Sequence, residues 1–311
     1  MTGAVRVEVV SVDELRFDDG SPVRAASAVA PFGDGWLIAQ DDATSAAWLR
    51  PGSVTSVRVF PPVAGLDVFA EQDGTKPLKP DVEAACEVPL GNGASGVLLL
   101  GSGSTAQRMR ASLVGLASTG PAFAVAPLEG LYERVSGALG IDLAHLNLEG
   151  ACVLGNRLRW FSRGNLANDV PCASVDLDLP ALLSAVRGEI DPGAVRLGGV
   201  LHYDLGQVDG VGLAITDAVA LPDGRVLLSA AAEDTPDAVA DGPVVASALA
   251  LVREGDLGAV ARLPQPGGRV HKVEGLGLLG VGSGRARLLA VVDADDPERP
   301  SSQLVLEVDW F

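Results

Sequence analysis

Apolar residues along the chain recur mainly at every second position, in short runs bounded by Gly, Pro, Asn or Asp, and this period marks strands rather than helices. One pattern repeats: a small or acidic residue, alternating apolar residues, a Gly-containing turn, then a strongly apolar strand. Its copies are SAVAPFGDGWLIAQDD from Ser27, EAACEVPLGNGASGVLLLGSGS from Glu83, EGACVLGNRLRWFSRGN from Glu149, DAVALPDGRVLLSAAAED from Asp217 and EGLGLLGVGSGRARLLAVVDADD from Glu274. They start at intervals of about 60 residues, a spacing that points to a repeat architecture. The residues after Glu274 and before Ser27 together make about one further interval, as expected of a repeat that closes on itself.

Each unit holds four strand candidates. In the first they are SAVAPF, GWLIAQ, SAAWLR and SVTSVRVF, and in the fourth DAVALP, RVLLSAA, VVASALALV and GAVARLP. The fifth unit supplies only EGLGLLG, ARLLAVV and SQLVLEV, so AVRVEVVSV at the N-terminus is predicted to be its fourth strand. A first strand that completes the last blade removes the open sheet edge, the closure device of a β-propeller. The expectation is an all-β, five-bladed β-propeller of four-stranded antiparallel blades, with six blades as the competing count. It forms one propeller domain over 1–311, with blades near 27–62, 83–127, 149–205, 217–264 and 274–311 plus 4–12. LEGLYERVSGAL (128–139) and LPALLSAVRGEI (179–190) have helical spacing and are predicted as short surface helices. A doubly wound α/β fold would need a helix between most strands.

Composition narrows the function. The chain carries 40 acidic and 23 basic residues, a net charge of −17, which argues against nucleic acid because phosphate binding needs a basic stripe. Its hydrophobic content of 48% raises the question of a membrane, yet the apolar runs are strand-sized, short of the roughly 18–20 residues that span a bilayer. No export signal is recognisable in MTGAVRVEVVSVDEL, and three cysteines form no disulfide framework, so a cytoplasmic protein is expected.

In a propeller the first strand of every blade lines the central channel. Ser27, Glu83, Glu149, Asp217 and Glu274 open those strands. Four carboxyl groups and a hydroxyl at one channel end repel one another unless they share protons or a cation, and an all-oxygen set suits Ca²⁺ better than Zn²⁺. The ring is therefore read as a candidate Ca²⁺ site, the alternative being acids that solvate a water-filled mouth.

Loops between second and third strands return to the same face. They bring Asp41-Asp42, Gly101-Ser102-Gly103-Ser104-Thr105, Ser162-Arg163-Gly164-Asn165, Glu233-Asp234 with Asp237 and Asp241, and Asp293, Asp295 and Asp296. The Gly-Ser loop is either an anion cradle or a tight hairpin. Arg108 and Arg163 are candidate anion clamps. His145 and His271 precede channel strands, whereas His202 lies in LHYDL and is expected to be peripheral. Cys86 and Cys152 share a repeat position and read as blade packing; Cys172 has no His neighbour in sequence. Asp42, Glu233, Asp293 and His271 are candidate bases or acids, with Arg163 as the substrate clamp.

Two resemblances follow from these residues. KPDVEA, LLGSGSTAQR, LNLEGACVLGNRLRWFSRGN, TDAVALPDGRVLLSAAAEDTPDAVADGPVVASAL and KVEGLGLLG with VVDADDPERPSSQL resemble a bacterial propeller family of unassigned function. More distantly the register is similar to the calcium-activated nucleotidases (apyrases). That resemblance implies a channel Ca²⁺ held by Ser27, Glu83, Glu149 and Glu274, with Asp217 where that family has Ser. Asp41-Asp42 resemble its Asp-Asp-Arg-Thr-Gly and Arg163 its Pro-Arg-Arg, but the Arg after each is missing here, which sets nucleotide hydrolysis apart from what the resemblance implies. Phytase-like and lactonase-like propellers also use channel-mouth carboxylates with Ca²⁺.

The reading is a Ca²⁺-binding propeller that hydrolyses a small phosphorylated or lactone-type substrate at the channel mouth. Its alternative is a non-catalytic binding or scaffold propeller with a structural channel Ca²⁺, whose loop face recognises a small molecule or a protein segment; the expected partner is a small-molecule substrate or ligand on that face, not nucleic acid or membrane. Thirteen acids fall on that face by this register, against Lys79, Arg108, Arg163, Lys272 and Arg299, which predicts a cation-collecting mouth.

Overall fold

A computed structural model describes residues 4–165, 168–235, 242–294, 296 and 299–311. Its strands are β1 (Val5–Glu14), β2 (Ala26–Phe32), β3 (Gly35–Gln40), β4 (Ser45–Arg50), β5 (Ser53–Arg58), β6 (Val82–Gly91), β7 (Ala94–Gly101), β8 (Arg110–Ala117), β9 (Gly120–Pro127), β10 (Leu148–Leu154), β11 (Arg157–Ser162), β12 (Cys172–Asp178), β13 (Leu197–Tyr203), β14 (Gln207–Val208), β15 (Val211–Ala220), β16 (Val226–Glu233), β17 (Val244–Arg253), β18 (Asp256–Arg262), β19 (Val273–Gly282), β20 (Arg285–Val292) and β21 (Ser302–Trp310). They form five antiparallel sheets in a ring: β2-β3-β4-β5, β6-β7-β8-β9, β10-β11-β12-β13, β15-β16-β17-β18 and β19-β20-β21-β1. The protein is a five-bladed β-propeller. Blade four also carries the two-residue ribbon β14 on the start of β15.

The N-terminal strand closes the ring as expected. β1 pairs antiparallel with β21 from Val5 opposite Trp310 to Glu14 opposite Ser302, so the last blade takes its outer strand from the opposite end of the chain. Burial follows the same logic. One apolar layer fills each junction, the layer between blades one and five holding Val29 and Ile38 against Leu289 and Val291. Because each blade is covered on both faces, its inner strands are apolar at successive positions, and Ala at many of them lets neighbouring blades approach.

The two helices differ from expectation in one respect. α1 (Glu129–Leu139) and α2 (Leu179–Val186) form where predicted, but each sinks an apolar face into the layer between blades two and three. Leu131, Tyr132 and Val135 are fully buried, and the Tyr132 ring meets Trp160 edge to face at 4.8 Å. α2 starts on Asp178, whose carboxylate accepts from the Ala181 N–H at 3.0 Å, with Pro180 in its first turn. No helix among the described residues is long and apolar enough to cross a membrane.

Candidate active site at the channel mouth

The first strand of every blade carries a β-bulge at the same level. Pairing slips between Ala26 and Ala28, Val82 and Ala84, Leu148 and Gly150, Ile215 and Asp217, and Val273 and Gly275. The unpaired residues are Ser27, Glu83, Glu149, Thr216 and Glu274. A bulge frees a residue from the ladder and re-aims its side chain, so five bulges present a ring of oxygen-bearing groups.

Thr216, not Asp217, occupies the fourth position of that ring. The sequence register is off by one residue there because SAVAP and DAVAL share an Ala-Val-Ala run that does not share its place on the strand. Ser27 and Thr216 play the same part: Ser27 Oγ donates to the Val82 carbonyl and Thr216 Oγ1 to the Val273 carbonyl, both at 2.6 Å. Each hydroxyl thus ties its blade to the next.

Asp217 lies one residue further along, where the other blades have Ala28, Ala84, Gly150 and Gly275. Those residues are small because the strands nearly touch: a Cβ on Gly150 would stand 2.9 Å from the Asp217 backbone. Asp217 is 1% exposed, its Oδ2 accepts from the Leu276 N–H at 2.6 Å, and its Oδ1 has no hydrogen-bond partner. Burial pushes its carboxyl well above the usual range against the pull of the Leu276 and Ala218 N–H groups.

Above the ring, two ion-paired clusters wall a cavity of about 300 Å³. On the blade-one and blade-two side, Lys79 Nζ bridges Asp41 and Asp81, the latter at 2.6 Å, and Arg108 Nη1 reaches Asp81 at 3.1 Å. Asp41, Asp81 and Glu83 bring carboxylate oxygens within 4.8 Å of one another, close enough to share a metal ion. On the opposite side Arg163 joins Glu149 at 3.0 Å to Glu233 at 2.6 Å, and Lys272 joins Glu233 at 2.5 Å to Glu274 at 2.8 Å. Asn147 Nδ2 donates to Glu149 Oε1 at 2.9 Å. The loops are held alike in three blades, where the N–H groups of Asp41, Ser102 and Arg163 donate to the carbonyls of Ala25, Asp81 and Asn147, all at 2.9 Å.

Protonation follows from this crowding. Burial, then Asp81 and Asp41, pushes Glu83 well above its usual range. Burial raises Glu149 against the pull of Arg163, and raises Glu274 to about 8 although Lys272 opposes it. Burial also raises Asp41. Glu233 goes the other way: burial disfavours its charge, but Arg163 and Lys272 outweigh that cost and hold it ionised.

The sequence-predicted residues separate accordingly. Ser27, Glu83, Glu149, Glu274, Arg163 and Asp293 line the cavity. Asp293 Oδ1 accepts from the Ala25 N–H and the Ser301 hydroxyl, each at 3.1 Å, and so links blade five to blade one. Asp42 stands beside Asp41, half-buried and outside the cavity lining, its carboxyl raised to about 6 by burial and by Asp41. His271 is buried outside the cavity lining and its ring is held below the usual value by burial and Arg269. His145 and His202 are exposed. Asp237, Asp241 and Asp295 lie outside the described residues.

Among the described residues, the cavity lining itself is nearly balanced in charge. Asp41, Asp81, Glu83, Glu149, Glu274 and Asp293 stand against Lys76, Lys79, Arg108, Arg163 and Lys272, six acids to five cations. Asp81 is the residue that sequence reasoning missed, although it stands two places before Glu83 in KPDVEA. The Gly-Ser loop is likewise committed internally: Ser102 Oγ donates to Asp81, and Arg108 Nη1 donates to Ser104 Oγ at 2.8 Å. Gly103 has φ +79°, and a Cβ there would meet the Tyr132 ring at 2.4 Å. Gly103→Ala is therefore expected to cost about 1–3 kcal/mol in denaturant unfolding, from left-handed strain and overpacking.

These features define a five-bladed propeller whose channel mouth holds a ring of bulge residues beneath a charged cavity. The chain belongs to the family of unknown function DUF6910, whose model matches residues 75–297. No curated protein matches it in sequence. Among solved structures it is similar to the glutaminyl cyclase of Myxococcus xanthus, with 8% identity, coverage of 98% of this chain and 97% of that one, and a TM-score of 0.48. It is also similar to a luciferin-regenerating enzyme (8% identity, 96% and 95% coverage, TM-score 0.43). A protein of unknown function from Dyadobacter fermentans is a third (13%, 97% and 99%, TM-score 0.38).

Proposed function

We propose that the channel mouth binds a divalent cation, Ca²⁺, and that the protein is a metal-dependent hydrolase of a small phosphorylated or lactone-type substrate. The observation that carries this reading is the bulge ring, which presents Ser27, Glu83, Glu149, Thr216 and Glu274 from five different strands at one level. The donors are all oxygen, which suits a hard cation. Three are carboxyl groups that burial pushes upward, and a divalent ion among them would restore their ionisation. A hydroxyl in blade four also matches the serine that the apyrase-like register implies, with Thr216 in place of the extra charge of Asp217.

Glu83, Glu149 and Glu274 would hold the ion, with the hydroxyls of Ser27 and Thr216 beside it and with Asp41 and Asp81, whose carboxylate oxygens lie within 4.8 Å of that of Glu83, on its blade-two side. When bound, it would polarise the scissile group and acidify a water. Asp42, next to the cavity-lining Asp41 and with a carboxyl near 6, is suited to take a proton near neutrality. Arg163 and Arg108 are spent on carboxylates, so they fix the walls. Lys76, whose side chain is 47% exposed and pairs with solvent-facing Glu71, is the cavity cation able to meet a substrate anion. A small-molecule partner on this face, in the cytoplasm, belongs to the same proposal.

Calorimetric titration of chelator-treated protein with Ca²⁺ is expected to show one site that Glu149→Gln weakens. With phosphomonoester, nucleotide and lactone substrates, turnover is expected to require Ca²⁺ and to fall by about 10²–10⁴ in Asp42→Asn. Absence of Ca²⁺ binding would overturn the metal. Tight Ca²⁺ retention without turnover would leave the non-catalytic binding propeller, a reading favoured by the internal pairing of Arg163 and Lys272.

A further inference from the structure

Beside the mouth lies a second cavity, of about 340 Å³, and Arg163 lines both. Its wall comes from Cys172, Val211, Leu213 and Ala214, with Gln207 and Thr235 among its polar members. The two chambers differ in chemistry. Six carboxylates and five cations surround the first. In the second, Arg163 and Glu233 pair with each other at 2.6 Å, Asp234 is exposed, and the rest is apolar side chain, amide, hydroxyl or glycine backbone. Arg163 is only 13% exposed and is fixed between Glu149 and Glu233, so it forms a rigid partition rather than a mobile gate.

We infer that the second chamber is a subsite for a neutral ring, of aryl or sugar size, carried by the same substrate whose charged or polar head occupies the mouth. This rests on the proposed function for the head group but not for the ring. Each chamber alone is at the small end of the range for ligand sites, and together they reach the middle of it. A substrate straddling Arg163 would place its charged or polar end in the mouth and its uncharged body against Val211, Leu213 and Ala214. A second anionic group would be unwelcome there, because Arg163, the cation among the described residues of that chamber, already has two carboxylate partners. The Cys172 S–H donates to the Arg163 carbonyl at 2.8 Å, and burial pushes the thiol up to about 11, so this thiol is not poised as a nucleophile. The inferred role is recognition of the leaving group or body of the substrate.

The test uses the full chain with two kinds of probe. 4-Fluorobenzyl alcohol, a neutral ring without a head group, is expected to bind by fluorine NMR with or without Ca²⁺, and Val211→Trp or Gln207→Trp is expected to abolish that binding. Gln207 is exposed at the rim, so its variant is expected to fold even if Val211→Trp does not. With Ca²⁺ present, phenyl phosphate is expected to bind about tenfold tighter than methyl phosphate, the effect of burying a ring, and either Trp variant should erase the difference. Fragment binding without any Ca²⁺ or phosphate binding would keep the subsite and overturn the proposed function. No fragment binding, or a phenyl advantage that survives Gln207→Trp, would overturn the subsite whatever the metal does.

Discussion

Glu233→Ala is expected to destabilise the protein by about 3–5 kcal/mol, as removal of one partner from a buried ion pair does. The Glu233 carboxylate is 3% exposed and is shared by Arg163 at 2.6 Å and Lys272 at 2.5 Å, themselves 13% and 8% exposed. Deleting it takes one carboxylate from each of two buried cations and leaves Glu149 beside Arg163 and Glu274 beside Lys272, carboxyls that burial already drives toward neutrality. Arg163 and Lys272 then repel each other across the vacated position. Chemical unfolding should show the midpoint falling without a change in slope. Glu233→Ala combined with Lys272→Met should lose less than the two single losses added, because the second change removes one of the stranded charges. Strict additivity, or a loss under about 1 kcal/mol, would show that solvent and not Glu233 compensates these cations.

Glu233 illustrates what the sequence made legible. Its blade, its loop and its place at the mouth followed from the repeat, because period-2 alternation and the recurring Gly turns are local signals. Its role did not follow. Arg163 and Lys272 lie far from it in sequence, and only ring closure brings three blades to one point. The same limit hides how the mouth acids are paired. Acids could be counted from the register, but whether Lys79 bridges Asp41 and Asp81 depends on how the KPDVEA segment enters blade two, where Asp81 adopts φ +55°. The one-residue error at Asp217 has a different cause. A β-bulge inserts a residue without changing the hydrophobic pattern around it, so alternation alone cannot say whether Thr216 or Asp217 leaves the ladder. Gly150 and Gly275 carried the missing signal: the place after the bulge is kept small in four blades, and Asp217 is the exception that fills it.

That exception contributes to a pH dependence opposite to ordinary acid denaturation. Asp41, Glu83, Glu149, Asp217 and Glu274 all have carboxyls raised by burial in the folded state, and Asp42 is raised to about 6. For a carboxyl raised on folding, the native state binds more protons than the unfolded one between the two pKa values, so stability falls as pH rises through that interval. The window opens near the unfolded carboxyl value of about 4. Asp42 completes its contribution near 6 and Glu274 near 8. Other groups act weakly or outside this window. Glu233, lowered in the fold, loses its contribution only as pH falls below the usual carboxylate range, and Lys79, Arg163 and Lys272, all raised, stay charged in both states until strongly alkaline pH. His271, lowered by burial, opposes the trend slightly by favouring the fold once pH exceeds its lowered value. In chelator, the melting temperature is therefore expected to drop by about 5–15 °C between roughly pH 5 and pH 9, the equivalent of several kcal/mol in a chain of this size. Glu274→Gln and Asp217→Asn should each flatten the profile by removing one titrating group. Added Ca²⁺ should lift the alkaline limb selectively, because a cation among Glu83, Glu149 and Glu274 favours their ionised forms, and it should leave the Asp217 share in place since that carboxyl lies below the ring with one oxygen on the Leu276 N–H. A melting temperature that rises with pH in chelator would mean that the mouth carboxyls are ionised in the fold without a metal, with Lys79, Arg108, Arg163 and Lys272 supplying counter-charge.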